Sequence, residues 1–229
     1  MNPIAGILLI AVGSLGAASF YVPFKKVKSW AWESYWIVQG VAAWLLAPWL
    51  IAYLAVPDGN LFQVISEAPL KAKLLAMLFG ALWGIGGLTF GLSIRYLGVA
   101  LGQSIALGFC AAFGTLIPPI VAGGELFSTR AGILTIIGVI ICIVGIAIIG
   151  YAGSLKSKGL SDEERRKAIK EFALKKGLLI AIFAGIMSAC FSFGLDFGKP
   201  IGDLAIGDKF KTDPLFHDNP ILIFILLGP

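Results

Sequence analysis

The sequence predicts an all-α polytopic membrane protein, and three of its properties lead to that prediction. Hydrophobic residues make up 58% of the 229 residues and charged residues only 14%, whereas an average soluble domain carries about 25% charged residues. A soluble fold of this length could not cover so much apolar surface, because much of its exterior faces water. The charges are also grouped, so that six long stretches contain no Asp, Glu, Lys or Arg.

Each charge-free stretch is long enough to form a transmembrane helix. The shortest holds 19 residues, and a helix needs about 20 residues at a rise of 1.5 Å to cross the hydrocarbon core. The first stretch is predicted to be a span rather than a cleaved leader, because it contains no Lys or Arg and is longer than the apolar region of a usual leader. The six predicted spans are 1–24, 34–57, 74–94, 96–124, 131–155 and 177–195.

The longest charged connection is predicted at residues 153–176. Its Ser161-Asp162-Glu163-Glu164 sequence is a capping-box start, and the basic segment that follows favours either a short interfacial helix or a solvated linker helix. Of the 18 Lys and Arg residues, twelve lie in the connections after the first, third and fifth spans. The positive-inside rule therefore predicts an outside N-terminus and a cytoplasmic 153–176 connection.

A weak internal repeat relates residues 6–28 to residues 177–199. Five spans separate the two copies, and an odd number of spans inverts the second copy in the membrane, as in many transporters. The repeat predicts a first five-helix repeat at 1–152, the basic amphipathic connection at 153–176 and the start of a second repeat at 177–229. The identical pairs are Gly6/Gly177, Leu8/Leu179, Ala18/Ala189, Phe20/Phe191 and Lys28/Lys199.

The repeat also carries an expectation about length. Two copies at an offset of 171 predict a chain of about 340 residues, whereas this sequence has 229. The apolar run 221–227 is too short to span and is expected to be the start of a seventh helix. We therefore expect a missing C-terminal repeat to complete the fold.

The sequence favours neither an enzyme nor a cofactor or metal site. It contains no Walker, Rossmann or nucleophile-elbow motif, and the single histidine, His217, is expected to be structural. Cys110, Cys142 and Cys190 fall in different predicted spans, where they are expected to act as small apolar residues. The basic residues lie between spans rather than in a separate domain, so nucleic acid is not an expected partner.

The glycine-rich segment 80–87 in the third predicted span is a candidate substrate wall. Its glycines favour close helix packing. They also weaken the helix, and transporters place their substrate sites at interrupted helices near the membrane midplane. Trp83 lies ten residues into the span and could stack on a sugar ring. Gln103 is the only amide between 74 and 124, so it is expected to bond either a neighbouring helix or a substrate hydroxyl.

The end of the first predicted span allows two interpretations. Phe20 to Lys28 combines aromatic rings and lysines, which is typical of a membrane interface with snorkelling side chains. Alternatively, Pro23 breaks the helix and turns Tyr21 and Lys25 toward a cavity.

These segments together resemble the L-rhamnose–proton symporters of the drug/metabolite transporter superfamily. The resemblance implies a ten-helix protein of two inverted five-helix repeats in a bacterial inner membrane, which carries a deoxyhexose inward with a proton. It covers nearly the whole chain, in order, through Phe20–Lys28 with Trp32-Glu33, Gly80–Gly86, Gly91-Leu92, Arg95–Gly98, Gly114–Leu116, Leu174–Gly177 and Lys199-Pro200.

The leading hypothesis is therefore a proton-coupled sugar symporter with a midplane site. Trp83 and Tyr21 would offer stacking surfaces, and Gln103 would bond hydroxyl groups. No acidic residue lies inside a predicted span, which leaves Glu33 and Asp196 at span ends as proton carriers, with Glu33 favoured and Lys25 or Lys26 tuning it. The alternatives are an uncoupled or export-type carrier of the same superfamily and a non-transporting membrane scaffold or sensor.

Overall fold

The computed structural model describes residues 3–19, 26–27, 30–121, 123, 126–159 and 173–229, and every regular element among them is a helix. The chain divides into two compact units, residues 1–43 and residues 44–229. The predicted helical connection at 161–172 falls outside the described residues.

Two helices are described in the first unit, α1 at Pro3–Ser19 and α2 at Trp32–Gly40. Proline at the start of α1 suits a helix N-terminus, because its missing N–H has no intrahelical partner there anyway. Near the other end, the Ser19 hydroxyl donates to the Gly16 carbonyl oxygen over 3.0 Å. The large aliphatic side chains of α1, such as Ile4 and Leu8, are mostly exposed to the surroundings of the chain, and a helix that is apolar all round needs a protein core or a membrane around it.

The second unit holds most of the structure. A π-helical segment, Val41–Leu46, begins before residue 44 and leads into α3. Two short 3₁₀ turns, Pro57–Gly59 and Pro214–Phe216, precede the helices α4 and α9. The remaining helices are α3 at Ala47–Ala55, α4 at Leu61–Glu67, α5 at Leu70–Leu97, α6 at Val99–Val121, α7 at Arg130–Lys158, α8 at Leu174–Ile206 and α9 at Asn219–Leu226.

Five helical segments of the described residues are long and apolar enough to cross a membrane, one fewer than the sequence predicts. They correspond to the second to sixth predicted spans and lie at Ile37–Ala55, Leu70–Leu97, Leu101–Val121, Arg130–Ala152 and Lys175–Ile206. Of the first predicted span, 1–24, the structure describes α1 at Pro3–Ser19, with an apolar part at Ile4–Gly16. Residues 20–25 lie outside the described residues, so the length of the first predicted span is not tested and that span stays a prediction.

Helix directions alternate as they must for successive membrane spans. Gly177 of α8 packs against Leu97 at the end of α5, and the two helices run antiparallel along their length. Gly185 of α8 packs against Phe109 of α6, and farther along both helices Gly114 meets Ser192. The helices α6 and α8 are therefore parallel, as expected for two spans separated by one other.

The glycines of segment 80–87 serve close packing rather than a break in α5, which is continuous from Leu70 to Leu97. A Cβ atom added at Gly86 would lie 2.6 Å from the Ser188 backbone nitrogen, and one at Gly80 would collide with the Ile225 carbonyl oxygen. A Cβ at Gly87 would meet nothing within 4 Å. The contacts of Gly80 and Gly86 support the tight-packing alternative for this segment.

The most deeply buried apolar cluster lies where α3, α4 and α9 meet the N-terminal part of α5 and the C-terminal part of α8. Ile221, Ile223 and Ile225 of α9 are fully buried in it. Beside this cluster, an ion pair joins the end of α4 to the connection after α8, with Lys209 donating to a carboxylate oxygen of Glu67. This cluster fixes the ends of α5 and α8 relative to each other.

Candidate functional site

Trp83 of α5 belongs to a group of aromatic side chains that also includes Trp44 and Phe191. Its ring makes edge-type contacts with Trp44, at a centroid distance of 6.2 Å, and with Phe191 of α8, at 5.3 Å. Such arrangements are favoured because the ring edges are positive and the faces negative. Trp83 remains half-buried, so part of its surface stays accessible.

One helical turn before Trp83, Phe79 extends the aromatic surface along the same face of α5. Its ring stacks with Phe193 at 5.5 Å and with Phe197 at 5.2 Å. The α5–α8 interface is thus closed by aromatic rings toward the N-terminal part of α5 and by glycines farther along.

A cavity of about 370 Å³, which we call the polar pocket, lies near the C-terminal ends of α6 and α8. Its volume falls in the range of about 300–1,000 Å³ that small-molecule sites occupy. The lining combines hydroxyl, carboxylate, ammonium and imidazole groups with two prolines. The lining residues are Gly114, Thr115, Pro118, Pro119, Ser192, Leu195, Asp196, Lys199, His217 and Asp218.

Prolines leave backbone acceptors without their usual donors at this pocket. Pro118 and Pro119 lie inside α6, and proline has no N–H to donate to the carbonyl four residues earlier. The carbonyls of Gly114 and Thr115 therefore lack their usual intrahelical donors. Pro200 inside α8 has the same effect on the carbonyl of Asp196.

An ion pair and a histidine–carboxylate contact line the polar pocket. Lys199 donates to a carboxylate oxygen of Asp196 one turn earlier on α8. The Asp196 side chain is 25% exposed and the Lys199 side chain 63% exposed, so the carboxylate is the more enclosed partner. In the connection before α9, His217 Nε2 lies 3.2 Å from an Asp218 carboxylate oxygen.

A larger groove, of about 510 Å³, lies between α6 and α7. Apart from Ser104 and Tyr151, the side chains that line it are apolar, for example Phe109 and Ile143. It offers few polar partners to a hydrophilic solute, unlike the polar pocket.

The chain matches the family model for the L-rhamnose-proton symport protein over residues 2–229. It belongs to that family. The chain is 42% identical over 227 residues to the L-rhamnose-proton symporter of Yersinia pestis bv. Antiqua (strain Antiqua), an alignment that covers 98% of this chain and 64% of the relative. It is 41% identical over 227 residues to the L-rhamnose-proton symporter of Escherichia coli (strain K12 / DH10B), covering 97% and 63%.

The resemblance in the sequence motifs is thereby confirmed. The family is one of transport proteins and not of enzymes. The chain spans a little under two thirds of the length of these relatives. No solved structure matches the chain.

The residues predicted for proton coupling lie in the first unit of this family member, and little of their geometry is described. Lys25, like the predicted stacking residue Tyr21, falls outside the described residues. Lys26 is exposed, and Glu33 belongs to α2, where its side chain is not described. Their roles stay predictions.

Of the other predicted substrate residues, Trp83 and Gln103 lie on different helices, α5 and α6. Gln103 is exposed and shares a face of α6 with the exposed Leu107. It is not among the residues that line the polar pocket, and its role also stays a prediction.

Sequence reasoning ranked Asp196 second and treated His217 as structural, yet both line the polar pocket together with Lys199. One available signal was the Pro118-Pro119 pair inside an apolar stretch. A second was Pro200, which follows Asp196 by four residues just after the predicted span 177–195. Proline inside a membrane helix is tolerated where the released backbone groups find other partners, including water in a cavity.

Proposed function

We propose that this chain performs proton-coupled uptake of a deoxyhexose such as L-rhamnose across the bacterial inner membrane. The single observation that carries the proposal is the family match over residues 2–229, with relatives that are named L-rhamnose-proton symporters at 42% identity over 98% of the chain. The apolar helices long enough to span a membrane support a multi-pass protein. Transport would proceed by alternating access around a site between the helices.

The proposal includes a ten-helix architecture of two inverted five-helix repeats. In that arrangement α1 to α7 would supply the first repeat, with α2 and α3 forming one span, and α8 would begin the second. The helix α8 is antiparallel to α5 and parallel to α6. These directions support the proposal, because such an architecture requires successive spans to alternate in direction.

Residue roles follow the chemistry of a sugar. Trp83 and Tyr21 would cover the apolar face of the ring, since aromatic side chains combine large contact area with defined geometry. Gln103 would bond a hydroxyl group, while Glu33 would carry the proton with Lys25 or Lys26 tuning its affinity. Part of the Trp83 ring is accessible, which supports the proposal that Trp83 stacks on the sugar ring.

Coupled symport is favoured over an uncoupled carrier or a non-transporting scaffold, because the relatives are named for a sugar and a proton together. The test is the pH of a lightly buffered suspension of de-energised cells that express the protein. L-rhamnose should cause alkalinisation of the medium and accumulate inside, whereas cells without the protein should show neither. Absence of both the pH change and sugar accumulation would exclude the proposed function.

A further inference from the structure

We infer that the polar pocket binds the hydroxyl groups of a neutral polyhydroxylated solute, an inference that rests on the proposed function. It adds to the sugar's binding site a pocket that includes none of the substrate-binding residues predicted from the sequence. The described cavity, its released carbonyls and its Lys199–Asp196 ion pair each point to that chemistry.

The released carbonyls supply hydrogen-bond acceptors. Gly114 and Thr115 lack their usual i+4 donors because of Pro118 and Pro119, and an unsatisfied carbonyl in a membrane costs several kcal/mol unless a cavity or partner compensates. Water can supply the missing donors in the empty state. A sugar hydroxyl can replace that water and reproduce its hydrogen bond.

The charged side chains add both donors and acceptors. The ammonium of Lys199 occupies only part of the acceptor capacity of Asp196, since a carboxylate has about four lone-pair sites. Its remaining sites can accept from hydroxyl groups, and the hydroxyls of Thr115 and Ser192 can donate or accept. Positive and negative groups lie side by side here, and this favours a neutral polar ligand over an anion or a cation.

The pocket also lies on the side where uptake begins. It is near the C-terminal end of α8, whereas the 153–176 connection joins the N-terminal end of that helix. The positive-inside rule predicts that this connection is cytoplasmic. The polar pocket would therefore open toward the outer side of the membrane.

The experiment compares Asp196→Asn with Asp203→Asn in vesicles reconstituted with the full chain. Asp203 is the matched control, because it lies seven residues farther along α8, is exposed and does not line the pocket. L-rhamnose counterflow, which needs no proton gradient, gives the half-saturating sugar concentration. A pH electrode gives the number of protons taken up per sugar.

Asp196→Asn should raise the half-saturating concentration about tenfold or more, the order expected when a hydrogen bond to a charged acceptor is lost. The proton-to-sugar ratio should not change, and Asp203→Asn should resemble the wild type in both measurements. An unchanged half-saturation in Asp196→Asn would overturn the inference. So would a lost proton uptake with intact sugar affinity, because that result would assign Asp196 to the proton instead.

Pro118→Ala provides a second variant that is expected to fold, because it restores a helix-forming residue and a donor for the Gly114 carbonyl. It should raise the half-saturating concentration roughly fivefold through loss of one neutral acceptor, and an unchanged value would contradict the inference. Failure of the wild type to show any counterflow would instead remove the proposed function, and the inference with it.

Discussion

The two sides of α8 differ in how they meet their neighbours. Toward α5, glycines and aromatic rings close the interface, with Gly86 against the backbone of Ser188 and Phe79 stacked on Phe197. Toward α6, Gly114 lies close to Ser192, and both residues line the polar pocket. One helix therefore serves as structural support on one side and as the wall of a candidate site on the other.

The residue types explain this difference. Glycine lets two backbones approach, which a bilayer favours because van der Waals packing holds membrane helices together. Proline and charged residues have the opposite effect, since released carbonyls and a carboxylate need polar partners rather than apolar neighbours. The pocket lies where Pro118 and Asp196 follow smaller residues, such as Gly114 and Ser192, along the two helices.

The largest expected effect is a loss of stability when the glycine contact between α5 and α8 is disrupted. Gly86→Ala would place a Cβ 2.6 Å from the Ser188 backbone nitrogen, and such overpacking costs about 1–3 kcal/mol when neighbouring backbone must shift. We expect a clearly lower Tm in detergent, measured by intrinsic tryptophan fluorescence on heating, and a lower yield of folded protein.

Gly87→Ala is the matched control for that experiment. A Cβ at Gly87 meets nothing within 4 Å, and alanine is favoured over glycine in a helix interior by about 1 kcal/mol. The Tm of Gly87→Ala should equal or slightly exceed that of the wild type. Equal losses in both variants would show that helix propensity, and not the α5–α8 contact, governs this segment.

The contrast between Gly86 and Gly87 also shows what the sequence could and could not predict. Charge-free stretches predicted the positions of five membrane-length helices, because excluding charge is a property of each segment alone. Which glycine faces a neighbour depends on helix rotation and on a partner about 100 residues away, so the sequence left packing and binding equally open. The length of the first predicted span stays a prediction, because residues 20–25 lie outside the described residues.

The candidate site was also hard to predict, because it too depends on residues that are distant in the sequence. His217 and Thr115 are distant in the sequence, and only the packing of α6 and α8 places both at one cavity. The prolines were visible locally, but their consequence is tertiary, since a released carbonyl matters only if polar groups from another helix surround it. Trp83 could be singled out because tryptophan in membrane helices is enriched at the interfaces, and this one lies well inside a predicted span.

A medium effect tests whether the aromatic group takes part in binding. Trp83→Phe shortens the accessible ring and should raise the half-saturating L-rhamnose concentration in counterflow about fivefold, the scale of one aromatic contact. Phe79→Leu is the comparison, because Phe79 is stacked with two neighbouring rings and should affect stability more than affinity. Equal affinity losses in the two variants would assign Trp83 to packing.

The smallest expected effect concerns the ion pair at the end of the α5–α8 interface. The hydrogen bond from Lys209 lowers the pKa of Glu67, helped by the Gln63 amide at 3.0 Å, while partial desolvation acts in the opposite direction. A carboxyl whose pKa is lower in the folded state contributes stability above its unfolded pKa, near about 4.3. That contribution is lost as the pH falls through the folded pKa.

Glu67→Gln should therefore lower the Tm slightly at pH 7, and the difference from the wild type should vanish in acid. The effect is small because solvent and salt screen an exposed pair. Lys209→Gln should reproduce it, and the double variant should lose no more than either single one, since all three remove the same interaction. Additive losses would mean that the two side chains act separately, and the pair would then play no part in holding α5 against α8.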